Sequence, residues 1–117
     1  MSSFRIKQVS QLITEEMARI FLRECDFPIG CLVTVLGVET SHDLLYSRIV
    51  ISVFPINREK EVLTYLGKNI YHLQQELNKK LIMRPVPKIR FETNEVEAEA
   101  ARVEKLLAKI KKEETGG

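Results

Sequence analysis

The chain has 117 residues, of which 44% are hydrophobic and 29% charged, with a formal net charge of +2. That length holds one two-layer core, burying about two-thirds of the unfolded surface without disulfide or metal, and leaves no room for a second folded unit. The composition excludes wholesale disorder, and no apolar run approaches the roughly 18 residues of a membrane span.

Residues 5–24 read as an amphipathic helix, with Val9, Leu12, Ile13, Met17, Ile20 and Phe21 on one face. The opening MSSFRIKQVSQ lacks the apolar core of a secretory signal, so a cytoplasmic chain is expected. Asp26-Phe27-Pro28 ends the helix, because a residue before proline is pushed out of helical conformation. A strand follows over 31–39, rich in β-branched residues, then a polar loop at Thr40 to Leu44 and a second strand over 45–54. In the second strand Ser47, Ile49, Ile51 and Val53 alternate with Tyr46, Arg48, Val50, Ser52 and Phe54. Too few residues lie between the two strands for a crossover, so they pair antiparallel. Pro55 stops the ladder by removing a donor.

A helical stretch spans about 58–82, its apolar stripe formed by Val62, Leu63, Leu66, Ile70, Leu73, Leu77 and Leu81. Gly67 lies inside it at a cost of about 1 kcal/mol relative to alanine, which suggests a bend or close packing there. Arg84-Pro85-Val86-Pro87 cannot continue a helix, and residues 86–91 read as a third strand, the two prolines at its entrance suiting a sheet edge or a strand start. Asn94 followed by Glu97 has the spacing of a capping box for a last helix over 95–112. The order α-β-β-α-β-α makes an α+β fold, a three-stranded sheet covered by helices.

Cys25 and Cys31 form neither a disulfide framework nor a zinc motif and read as small apolar residues in a reducing compartment. Ser41-His42-Asp43 spells a catalytic triad in a row, but adjacent residues cannot converge as nucleophile, base and orienter. A turn is expected instead, with Ser41 and Asp43 bonding nearby backbone N–H groups. His72 reads as a surface polar residue, with no convergent metal-ligand set expected around it or around Cys25, Cys31 and His42. No phosphate-cradling glycine motif occurs, and the carboxylates lie on outer helix faces rather than in apolar pockets. No enzyme activity, metal, cofactor or small-molecule substrate is therefore expected.

Charge is unevenly placed. Residues 1–57 carry five basic and six acidic side chains, residues 92–117 five and seven, but residues 58–91 carry eight basic and three acidic. A basic stripe between acidic flanks suits a protein that grips a polyanion on one face. Lys79, Lys80, Arg84, Lys88 and Arg90 span a helix end, a turn and a strand, and are expected to converge on one surface. Lys68, His72 and Gln75, spaced four and three apart, are expected to project from the helix above them.

The string TVLGVETSHDLLYSRIVISV, Thr34 to Val53, closely resembles the ribosome-binding factor A family of bacterial small-subunit assembly factors. The resemblance runs back through Asp26-x-Pro28 and forward to Arg84-x-Val86-Pro87-x-Ile89-x-Phe91, covering about residues 5–110. It implies a type II KH-like domain, a non-enzymatic factor that binds 16S rRNA in the immature 30S subunit. Late maturation, rRNA processing and cold adaptation belong to the same implication. On this reading residues 1–113 form one RNA-binding domain, 114–117 a flexible tail, and the chain is a monomer. Arg5 and Lys7 join the candidate RNA contacts by the same analogy. The family's long helix carries Ala-x-Gly at a kink, where this chain has Asn69-Ile70-Tyr71. With tyrosine in place of glycine, the helix is expected to bend at Gly67 or run straighter. The family's Asp after the third strand is Asn94 here, and either residue caps a helix. A rival reading is a protein-interaction module that docks through Tyr46, Val50 and Phe54 or through the last helix.

Overall fold

The computed structural model describes residues 2–93, so the helix expected over 95–112 lies outside the described residues. Helix α1 (Ser2–Glu24) leads to β1 (Leu32–Thr40) and β2 (Tyr46–Phe54). A single 3-10 turn at Ile56–Arg58 precedes α2 (Glu59–Lys68), α3 (Ile70–Lys80) and β3 (Lys88–Thr93). Among the described residues no helix is long and apolar enough to cross a membrane.

The sheet order is β1-β2-β3, with β1 antiparallel to β2 and β3 parallel to β2. The hairpin forms as its short loop requires. Ser41 Oγ donates to Asp43 Oδ1 at 2.6 Å, the Leu45 N–H donates to the same carboxylate oxygen, and the Tyr46 N–H donates to Ser41 Oγ. The serine and aspartate thus build the turn, as expected. A bulge between Val35 and Gly37 lets Leu36 stand outside the ladder, after which Val38 pairs with Ile49.

Helices α1, α2 and α3 pack on one face of the sheet. Ile13, Met17 and Ile20 of α1, Val62 and Leu66 of α2, and Leu73 and Leu77 of α3 meet Ile49 and Ile51 of β2 in one fully buried cluster. Each side chain this size contributes about 1.5–3 kcal/mol by leaving water. With Thr93 of β3, Ser47 is one of two buried polar residues among the described residues. It is satisfied by a hydroxyl chain in which Ser10 Oγ donates to Thr40 Oγ1 at 2.8 Å and Thr40 and Ser47 lie 2.9 Å apart. Rings of Phe21, Phe27, Tyr65 and Phe91 join the end of α1 to α2 and β3.

Three expectations need correction. The long helix neither bends at Gly67 nor runs straight; it breaks at Asn69, where φ is −105° and ψ 10°. A negative φ is open to any L residue, so no glycine is required. Asn69 secures the break itself, its Nδ2 donating to the Tyr65 carbonyl at 2.8 Å and its N–H shared between the Tyr65 and Leu66 carbonyls. Tyr71 then sits in the first turn of α3, 76% exposed. Second, Leu12 belongs to the apolar stripe by spacing yet remains 49% exposed, because it lies at the rim of the buried face, on an open groove between α1 and the end of α3. Third, Val50 is buried while Tyr46 and Phe54 are exposed, so the outward strip on β2 is not continuous.

Strand β3 starts at an edge, and a side chain blunts that edge. The Lys88 N–H donates inward to the Leu45 carbonyl at 2.8 Å, whereas the next N–H, of Ile89, donates to Gln74 Oε1 of α3 at 2.9 Å. Gln74 Nε2 in turn donates to the Pro87 carbonyl at 3.0 Å. One amide thus pairs the first two backbone groups of the outer edge.

Candidate nucleic-acid interface

Strand alternation decides where the cations of β3 lie. Ile89 is buried toward the helices, so Lys88 and Arg90 occupy the opposite, open face of the sheet. Parallel pairing sets Lys88 beside Tyr46 and Arg90 beside Arg48. Together they line a depression of about 590 Å³ at the hairpin end of the sheet. Carboxylates temper its charge: Arg48 bonds Glu39 at 2.6 Å and Glu92 at 2.7 Å, and Arg90 lies 3.3 Å from Glu92. Arg48 belongs to this surface but was not expected there. Its outward position on β2 was legible, while its neighbour on β3 depends on a parallel pairing that local pattern does not specify.

The remaining cations lie on the helical side, so the five residues from Lys79 to Arg90 are divided between two faces. Lys79 and Lys80 end α3, where the helix dipole favours positive charge. Lys79 bonds Glu76 at 3.2 Å, and this bond holds the Glu76 carboxyl below its ordinary pKa. Arg84 Nη1 donates to the Leu81 and Met83 carbonyls, each at 2.7 Å, which pins the loop into β3. Lys80 faces α1 instead and, with Arg5 and Lys7, lines a groove of about 820 Å³. That places the two α1 cations on the same groove as Lys80, an arrangement the spacing in the sequence does not reveal.

Lys68 closes α2, while His72 and Gln75 belong to α3 beyond the break, so the three do not share one continuous helix. Lys68 lies with Lys60 around a shallow depression of about 420 Å³ beside Tyr65 and Pro28. Asn69, its amide turned back toward Tyr65, gives α3 no side-chain cap. The break thus leaves Lys68, at the end of α2, and His72, in the first turn of α3, on either side of Asn69.

His72 also corrects the reading of its surroundings. Its Nε2 lies 3.5 Å from Glu24 Oε2, and with Glu76, one turn along α3, it forms a group of three possible ligands within 4.8 Å of one another. Both carboxylates already have cations beside them, Arg23 at 3.6 Å from Glu24 and Lys79 on Glu76. The two cysteines are half-buried and unbonded, and burial, with Glu24 nearby, pushes the Cys25 thiol up to about 11. A protonated thiol at neutral pH is a poor nucleophile and a poor metal ligand.

Comparison with known proteins agrees with this geometry. A family model described as ribosome-binding factor A matches residues 5–107. The ribosome-binding factor A of Gemmatimonas aurantiaca is 36% identical over 111 residues, covering 93% of this chain and 76% of that protein. The crystal structure of ribosome-binding factor A from Thermus thermophilus superposes with a TM-score of 0.67 at 20% identity, over 75% of this chain and 94% of that one. Coordinates of the Thermus thermophilus factor fitted into an electron-microscopy map of a 30S complex give 0.59 at 22% identity, over 69% and 86%. The helix pair with its break, the parallel third strand and the match along most of the sequence lead to one conclusion: this chain belongs to the ribosome-binding factor A family and has its KH-like fold.

Proposed function

We propose that this protein binds 16S rRNA in the immature 30S subunit and assists late maturation and rRNA processing as a non-enzymatic, cytoplasmic factor. The observation that carries the reading is the uncapped start of α3 at Asn69, flanked by Lys68 and His72. Backbone N–H groups at a helix start and a neighbouring lysine together hold phosphate without reading sequence. Lys88 and Arg90, with Arg48 and Tyr46 beside them, offer a second basic surface on the sheet. Gln75 and Lys79 on α3 and Arg84 in the loop after it are further candidate contacts. Family membership supports the same partner, since the fitted Thermus thermophilus relative is named in complex with 30S.

The test is binding to purified immature and mature small subunits across a salt series, for the parent and for Lys68→Ala, Lys88→Ala and Arg90→Ala. Each phosphate contact removed lowers the salt slope by about one unit and weakens binding alike across RNA sequences. Crosslinking on the same subunits maps which residues touch RNA. If the three variants bind like the parent at every salt concentration, these cations do not contact RNA.

A further inference from the structure

The groove between α1 and the end of α3 has a composition that phosphate recognition does not account for. Its apolar side chains are Phe4 and Leu12 from α1 and Ile82 and Met83 from the segment after α3, above buried Val9 and Leu81. Phe4 is 66% exposed, Leu12 49% and Ile82 98%, so the fold leaves large apolar side chains in water at one place. Scattered singly such residues are ordinary, but grouped along one groove they mark a docking surface. The lining runs from Phe4 to Glu15, eleven positions of helix, or about 16 Å at 1.5 Å per residue. That accommodates three turns of an incoming helix.

The rim adds a charge preference. Among the described residues Arg5, Lys7 and Lys80 stand around the groove with Glu15. RNA would use the cations but not the floor, which is aliphatic except for Phe4 and lacks the row of aromatic faces on which bases stack. We propose that this groove binds an amphipathic, acidic helix of a protein partner. The apolar stripe of that helix covers Phe4, Leu12 and Ile82, and its carboxylates meet Arg5, Lys7 and Lys80. The site is separate from the Lys68–His72 and Lys88–Arg90 surfaces, so the protein can hold such a partner and RNA at once.

The test uses the full chain and a fluorescein-labelled helical peptide of about 18 residues, with leucine at i, i+4, i+7 and i+11 and glutamate on its other faces. A second peptide replaces glutamate by lysine, and an oligouridylate serves as the RNA probe. The acidic peptide is expected to bind saturably and the lysine peptide at least tenfold more weakly. Ile82→Asp and Leu12→Asp should each weaken the acidic peptide about tenfold or more, with circular dichroism unchanged because both side chains are exposed. The same variants should leave oligouridylate and small-subunit binding as in the parent. Absence of peptide binding, equal binding of both peptides, or indifference to Ile82→Asp would overturn the proposal. So would oligouridylate that displaces the peptide and is lost with Ile82→Asp, which would make the groove an RNA site. A concentration-dependent dimer abolished by Ile82→Asp would assign the groove to a second copy and equally refute an acidic partner. Failure of the parent to bind small subunits would count against the rRNA reading and leave the groove result standing.

Discussion

Replacing Gln74 by alanine measures how firmly β3 is attached. The side chain holds two backbone groups of the strand's outer edge, the Pro87 carbonyl at 3.0 Å and the Ile89 N–H at 2.9 Å. It also reaches Asn78 Oδ1 at 3.1 Å. Each of the two edge bonds is worth about 1 kcal/mol, and an N–H left without a partner in a half-buried place adds up to about 1 kcal/mol more. The expected loss is thus about 2–3 kcal/mol, a large fraction of the roughly 5–15 kcal/mol that holds a domain folded. Urea denaturation reads it as a lower midpoint with an unchanged slope, since the surface exposed on unfolding is the same. Amide exchange at Ile89 should accelerate more than at Ile49 in the middle of the sheet. A Gln74→Ala variant within about 0.5 kcal/mol of the parent would refute the reasoning, because water would then serve the edge equally well.

Two further predictions concern the helix break and the hairpin. Tyr71→Gly restores the family's glycine but should lower stability by about 0.5–1 kcal/mol in the same urea assay, because position 71 is ordinary helix here and the break belongs to Asn69; an increase would mean the break is strained. Asp43 has its pKa lowered from 3.8 by the Ser41 hydroxyl and the Leu45 N–H, so its contribution is present above the unfolded value and lost as pH falls through the folded one. Asp43→Asn should therefore flatten the stability profile below about pH 4, and an unchanged acid limb would show that the turn does not depend on the charge.

What the sequence made legible was local. Periodicity located α1 and the two strands of the hairpin, and the prolines before Lys88 fitted either an edge strand or a strand start, both of which hold for β3 among the described residues. The break at Asn69 was not legible because it uses a backbone conformation that any residue adopts, so no glycine marks it. Leu12 was assigned to the core because spacing reports a helix face, not where the neighbouring element ends. The approach of Glu24 to His72, the pairing of Arg90 with Arg48 and the placement of Arg5 on the same groove as Lys80 depend on how distant segments pack. Of the RNA-contact candidates, the alternation of Lys88 and Arg90 with Ile89 was readable. The division of the cations between two faces followed only from the tertiary fold.

The parallel pairing of β3 with β2 has a consequence for the order in which this molecule assembles. Thr40 and Ser47, across the hairpin, are only seven positions apart, whereas Tyr46 and Lys88 pair across about 40. Closing the longer loop costs about 1.5 kcal/mol more chain entropy, and it is offset only once α2 and α3 have packed beneath the sheet. The hairpin and α1 can therefore form early, while β3 joins last and opens first. The surface that combines Tyr46 and Arg48 with Lys88 and Arg90 exists only after that final step. Any polyanion bridging the two strands favours the completed sheet and stabilises it in proportion to the logarithm of its concentration over its Kd.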